Sequence, residues 1–141
     1  MIVLDVNILL YAYGTASPQH AKARACVEEL FSGSELVGLP WQTIAGFLRI
    51  STNPRLAGAR PVTEAANEVE AWLKRPSVRV LVPGDDHWLV LRRMVIEGQA
   101  SGPLVSDAEI AALTIEYGGV LYTADRDFAR FPGLRWKNPL E

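Results

Sequence analysis

A chain of 141 residues, 49% hydrophobic and 21% charged, is long enough to bury a core and is neither disordered nor fibrous in composition. Its net charge of −2 excludes a generally basic nucleic-acid binder, so a polyanionic substrate must be met by a local cationic patch. One cysteine (Cys26) and two histidines (His20, His87) exclude an internal disulfide and a structural zinc set, and no run approaches the roughly 20 apolar residues of a membrane helix.

The opening IVLD at 2–5 is a short, β-branched apolar run that ends in a carboxylate, the pattern of a buried parallel strand. The longer stretch MIVLDVNILLYAYG is not a secretion signal, because it lacks a basic start and Asp5 interrupts it. Ser17 and Pro18 predict a helix start, with serine as N-cap and proline at the first helical position, for HAKARACVEELF up to Gly33. ELVGLP reads as a second strand, and Pro40 opens a helix over WQTIAGFLRIS that ends before Asn53-Pro54. After a loop at 53–62, Thr63 is expected to cap a helix with Ala66, Val69, Trp72 and Leu73 on one stripe.

SVRVLVP at 77–83 is a further strand, and Asp85 or Asp86 starts the helix through WLVLRRMVIEG. Ser106 and Glu109 read as a capping box for DAEIAALTIEY, closed by Gly118. VLYT at 120–123 is a strand, DRDFARF a turn with a short helical segment, and LRW at 134–136 a last strand. Strands alternating with helices predict a single α/β domain over residues 1–141, with a mainly parallel sheet covered on both faces. Ligands of such sheets bind beyond the carboxyl ends of the strands. Asp5 and Asp125 fall there, and Asp107 stands at a helix start.

Three segments therefore supply acids: VLDVN (Asp5, with Asn7), VSDAEIAAL (Asp107, with Glu109) and LYTADRDF (Asp125, with Thr123 and Asp127). Carboxylates brought together without basic partners repel one another, and a hard divalent cation removes that cost. Mg²⁺ and Mn²⁺ take oxygen ligands and can lower the pKa of water or steady a phosphoryl oxygen, which is the chemistry of phosphodiester cleavage. Asp107 could equally serve the helix dipole, Asp125 and Asp127 could form an Asx turn or helix cap, and Glu109 could complete its capping box. Thr123 is expected to bond a neighbouring carboxylate or loop, and Asn7 to orient Asp5. His20 and His87 read as helix-surface residues.

In order and spacing, LDVNILLYA, SDAEIAAL and YTADRDFARF resemble the PIN domain, and specifically the VapC toxins of bacterial toxin–antitoxin pairs, over essentially the whole chain. That resemblance implies a three-layer α/β/α fold, endoribonuclease activity with Mg²⁺ or Mn²⁺, a homodimer and inhibition by a VapB-like antitoxin, while the single cysteine fits a reduced, cytoplasmic setting. It makes Asp5, Asp107 and Asp125 the metal ligands and Asp127 an accessory acid. An antitoxin segment would lie between the helices at 18–32 and 41–51, with Phe31, Ile44 and Phe47 as apolar anchors.

One departure stands out. PIN nucleases usually carry a glutamate on the helix after the second strand, and here the matching position is Gly46, with no acid between Glu35 and Glu64. A glycine inside a helix costs about 1 kcal/mol against alanine, so close packing of another helix or subunit is expected there, with Trp41, Ile44 and Phe47 able to line such a contact. The RNA substrate needs positive charge beside the acids, for which Arg49, Arg55, Arg60 and Arg126 are the candidates. A dehalogenase-like phosphatase is excluded because position 7 is asparagine rather than a second aspartate. A response-regulator receiver is excluded by the want of a suitably placed lysine. The rival that remains is a degenerate PIN domain that binds RNA or a protein partner without cutting.

Overall fold

Successive side chains of a strand point to opposite faces, so the unbroken apolar run Ile2-Val3-Leu4 requires cover on both. In the computed structural model, which describes all 141 residues, two helical layers supply it. The strands are β1 (Ile2–Leu4), β2 (Val37–Pro40), β3 (Val78–Leu81), β4 (Val120–Tyr122) and β5 (Trp136–Lys137). They form one sheet in the order β3-β2-β1-β4-β5, with every neighbouring pair parallel. One layer holds α1 (Val6–Tyr13), α2 (His20–Ser32), α3 (Trp41–Ser51) and α4 (Val62–Leu73), and the other holds α5 (His87–Glu97) and α6 (Leu104–Glu116). Ile2 and Leu4 pack with Ile8, Phe31, Phe47 and Trp72 on the first side. Val3 packs with Met94, Ala111, Leu113 and Phe128 on the other. The expected α/β/α sandwich is present.

The order of the strands decides where a site can form. From the central β1 the chain lays β2 and β3 to one side, then returns to place β4 and β5 on the other. Connections therefore leave β1 and β4 in opposite directions and open a crevice at their carboxyl ends. Asp5 follows β1 immediately, and Thr123 follows β4.

Five local features differ from the sequence expectation. The helix α1 has no counterpart in the sequence reading, because VNILLYAY is apolar at nearly every position and shows no one-sided stripe; Asp5 starts it, its Oδ1 accepting the Val6 N–H at 2.8 Å. The helix α2 begins at His20, since Ser17-Pro18-Gln19 make a turn in which Ser17 Oγ accepts the Gln19 N–H at 3.0 Å. Thr63 lies inside α4, which starts directly after Pro61, and caps nothing. Likewise α6 starts directly after Pro103, so Ser106 is helical and no capping box forms. At the last two helices the cause is proline: its fixed φ is already suited to a helix entrance, and Pro61 and Pro103 each precede a helix, as Pro40 does. The last strand is also shifted, to Trp136–Lys137.

Gly46 is explained by helix packing. A Cβ added there would stand 3.2 Å from Val6 Cγ2, so the missing side chain lets α3 approach the first turn of α1. Of the apolar residues beside it, Ile44 and Phe47 are interior, while Trp41 is 54% exposed. Phe31 is interior too, which leaves these three buried rings and chains unable to serve as surface anchors for a partner.

Gly46→Leu is expected to destabilise the fold by about 1–3 kcal/mol, as overpacking does. In Gly46→Ala the helix-propensity gain of about 1 kcal/mol opposes the tight contact, leaving stability nearly unchanged. Urea unfolding measures both, and Val6→Ala should recover part of the Leu loss; absence of coupling between positions 46 and 6 would refute the contact.

Candidate active site

Asp5 retains only 4% of its surface. Burial pushes its carboxyl pKa up, and the neighbouring Asp125 adds to the rise; hydrogen bonds from Thr123, Val6 and Asn7 pull the other way. Those bonds are short and directed. Thr123 Oγ1 donates to Asp5 Oδ2 at 2.7 Å, Asn7 Nδ2 donates to the same oxygen at 3.1 Å, and Oδ1 takes the Val6 N–H. Asn7 also joins the two strand ends, accepting the Ala124 N–H on Oδ1 at 3.1 Å and donating to Thr123 Oγ1 at 3.3 Å. Thr123 and Asn7 thus take the positioning places the sequence reading gave them.

Asp125 caps the short 3₁₀ turn Arg126–Arg130, its Oδ1 accepting the Asp127 N–H at 2.9 Å. The Asx-turn role and proximity to Asp5 coexist in this one residue. Asp107 lies on the first turn of α6, the helix that leads into β4. Burial raises its pKa to about 6, with Asp5, Asp125 and Asp127 each adding repulsion and Arg130 alone opposing. The acids of three separate segments therefore act on one another, and Asp127 joins them from an exposed position. Glu109 is engaged elsewhere: its Oε2 accepts from Gln42 Nε2 of α3 at 2.5 Å.

No three acid, histidine or cysteine side chains stand close enough together to enclose a metal ion directly. The donors are nonetheless all oxygens, and burial with carboxylate repulsion raises the pKa of both Asp5 and Asp107. This set fits a hard divalent cation held by one or two carboxylates, with water completing its shell. Asp5, Asp107 and Asp125 are the residues able to hold it.

The expected arginines are placed unevenly. Arg126 lies between Asp125 and Asp127 but is exposed and pairs with Glu141 at 3.0 Å. Arg60 is bound by Glu64 and Glu68. Arg49 is in the last turn of α3, eight residues beyond Trp41 where the helix leaves the sheet edge, about 12 Å along the axis at 1.5 Å per residue. Arg55 follows in the exposed loop. Neither Arg49 nor Arg55 figures in the raised pKa of Asp5 or Asp107. The cation that lowers the Asp107 pKa, Arg130, is absent from the sequence reading, because in DRDFARF it is one arginine among several and only the 3₁₀ turn aims it. The histidines are structural: His20 Nδ1 meets Tyr11 O at 2.9 Å and His87 Nδ1 meets Glu116 Oε2 at 2.6 Å.

Comparison with known proteins agrees with this architecture. The family model for the PIN domain matches residues 2–134, and the chain belongs to that family. The VapC ribonuclease Mb2897 of Mycobacterium bovis is 38% identical over 100% of this chain and 97% of its own length. Ribonuclease VapC33 of Mycobacterium tuberculosis is 38% identical over 99% of each. Within the PIN domains the chain thus falls among the VapC proteins. Among solved structures, VapBC2 from Rickettsia felis, bound to a DNA fragment from its promoter, superposes with a TM-score of 0.73 over 98% of both chains at 17% identity, a likeness of fold.

The pKa of Asp107 yields a pH prediction. Its folded value is about 6 against an ordinary 3.8. Between these values the native chain binds the additional proton, so stability falls as pH rises through that window and stays lower above it. In metal-free buffer, Asp107→Asn should melt above the parent at pH 7.5, with the two converging near pH 4. An Asn variant that melts lower at pH 7.5 would show that the carboxylate is stabilised where it lies.

Proposed function

We propose that this protein is the toxin of a type II toxin–antitoxin pair, an endoribonuclease that hydrolyses RNA phosphodiesters with bound Mg²⁺ or, in its place, Mn²⁺. The observation that carries the reading is the convergence of Asp5, Asp107 and Asp125 at the crevice between β1 and β4, with mutual repulsion opposed by one arginine. Kinship with chains named VapC ribonucleases supports the substrate class. A bound divalent ion supplies Lewis-acid polarisation and a lowered water pKa. The protein's own contribution is to hold and aim. Thr123 and Asn7 fix the Asp5 carboxylate in one orientation, the Asx turn fixes Asp125, and α6 presents Asp107 from its first turn.

The same reading gives the protein a VapB-like antitoxin as partner, a homodimeric state and a cytoplasmic setting. The acids attract an inhibitory arginine for the reason they attract a metal: such a side chain offers five donors and a permanent charge. A second reading, a PIN domain that binds RNA without cutting it, is favoured by two observations. Position 46 carries no acid, and no three side chains enclose an ion directly.

Cleavage of RNA by purified protein separates the two. Asp5→Asn, Asp107→Asn and Asp125→Asn should each abolish cutting; in EDTA Asp107→Asn should melt no lower than the parent, whereas Asp5→Asn, whose buried amide nitrogen must face a donor, should melt lower. Activity should vanish with EDTA and return with Mg²⁺ or Mn²⁺. RNA binding without cutting at any concentration of either metal would establish the non-cleaving reading instead.

The toxin role has its own test. Induction of this chain alone should arrest growth, and co-expression of the small neighbouring gene should relieve the arrest. Asp5→Asn should abolish it. Normal growth with abundant folded, RNA-cutting protein would leave the nuclease standing and remove the toxin.

A further inference from the structure

Acids that hold a metal also repel the substrate. An RNA phosphate approaching Asp5, Asp107, Asp125 and Asp127 needs a cation that is present before it arrives, and the chain's overall charge of −2 does not supply one. Most arginines are already committed. Arg24, Arg60, Arg93 and Arg126 each stand in an ion pair with a glutamate. Arg79 and Arg135 bond backbone carbonyls at Pro76 and Val78, and at Gly118 and Gly119.

Arg130 is different in three respects. Its position is dictated by the turn: a 3₁₀ helix has three residues per turn, so residues i and i+3 eclipse, and Arg130 shares the face of Asp127 within Arg126–Arg130. The turn is itself pinned, because Phe128 is fully buried and packs 5.9 Å from Phe131.

Its guanidinium is also tethered at one nitrogen only. Arg130 Nη1 donates to Gly98 O at 3.0 Å and to Gln99 O at 3.4 Å, in the loop between α5 and α6. That loop is built to offer those carbonyls. Gln99 is the only non-glycine residue with positive φ, at 49°, a conformation that costs a side chain free energy. Gly98 admits no Cβ, which would stand 2.6 Å from Met94 O and 2.8 Å from the Phe131 ring. The Nε–H and Nη2–H groups, which form the side-on fork of the guanidinium, have no protein partner, and no carboxylate lies within ion-pair distance.

Finally, the turn that carries it starts at the site: Asp125 caps it, and the Asp125 N–H donates at 3.0 Å to Thr123 Oγ1, the hydroxyl that holds Asp5. A guanidinium on that turn, paired with none of the acids, retains its donors for an incoming anion.

We propose that Arg130 is the phosphate-gripping residue of the site, its Nη1 tied to Gly98 and Gln99 and its Nε–Nη2 edge receiving two non-bridging oxygens of the RNA backbone beside the carboxylates. This rests on the ribonuclease reading for the identity of the strand, but not on cleavage. A bidentate fork matches a phosphate as a lysine ammonium does not.

The test uses the full chain and a short fluorescent single-stranded oligoribonucleotide, with affinity read by anisotropy in EDTA across a salt series. Arg130→Met should weaken binding about tenfold and flatten the dependence of log K on log salt by about 0.7, one single-strand phosphate contact. Arg130→Lys should keep the salt slope but lose affinity severalfold. Gln99→Gly, which relaxes the loop and keeps the arginine, should retain the parent slope, as should the exposed Arg92→Met. A role confined to stapling the loop would instead make Gln99→Gly resemble Arg130→Met. Equal affinity and slope in Arg130→Met and parent, or no RNA binding by the parent, overturns the assignment. Arg130→Lys indistinguishable from parent overturns the bidentate edge, and this variant decides the matter if Arg130→Met fails to fold. A parent that binds RNA with the expected slope but cuts none under Mg²⁺ or Mn²⁺ removes the ribonuclease reading and leaves Arg130 in place.

Discussion

Taking a carboxylate out of water is costly unless hydrogen bonds or opposite charge replace the lost hydration, and Asp5 has lost nearly all of its own. The replacement comes from Thr123 and Asn7 and from the Val6 amide. Because Thr123 lies 118 residues further along the chain, satisfying this one group ties the end of β1 to the end of β4. The Asp5 N–H adds a second tie, donating to Tyr122 O at 3.0 Å. The crevice between these strands is therefore held by the residues that populate it. Loosening them would at once widen the site and leave a buried acid unsatisfied.

The same bonds leave Asp5 with its pKa raised rather than lowered, so hydrogen bonding compensates burial only in part. Asp107 is raised to about 6, first by burial and then by three other carboxylates. A fold optimised for stability alone would place a lysine or an apolar residue at one of these positions. Retaining the repulsion is the mark of a site whose balance is completed from outside the chain. On the proposed reading the completion is a divalent ion, and Arg130 covers what the ion does not reach.

Much of this was legible in the sequence. The IVLD run, the alternation of strands with helices and the three acid-bearing segments were sufficient to place Asp5 and Asp125 at strand ends and to expect a parallel sheet. What was lost was lost for physical reasons. VNILLYAY carries no amphipathic stripe because α1 is covered on most sides, so periodicity has nothing to register. Serine and threonine look like helix caps in the sequence where Pro61 and Pro103 govern the starts, and Glu109 looks like a cap residue although Gln42, 67 positions away, takes it. The sequence offers Arg49, Arg55 and Arg60 on the second helix and its loop and Arg126 between two aspartates; the 3₁₀ turn instead sets Arg130 on the face of Asp127.

Gly46 joins the packing to the chemistry. Its missing Cβ points at Val6, the residue after Asp5, so an acid side chain at this position would extend toward the start of α1, where the buried carboxylate already is. Leaving it out has two consequences that run together. The helices α1 and α3 close to van der Waals contact, which steadies the cap on which Asp5 depends. The site also holds one negative charge fewer. Three carboxylates, Asp5, Asp107 and Asp125, can be balanced by one divalent ion together with Arg130, whereas a fourth inner acid would call for a second cation. The glycine, the arginine and a single tightly held metal are thus mutually consistent on the proposed reading. Glu109, held by Gln42, remains outside that balance unless α3 releases it.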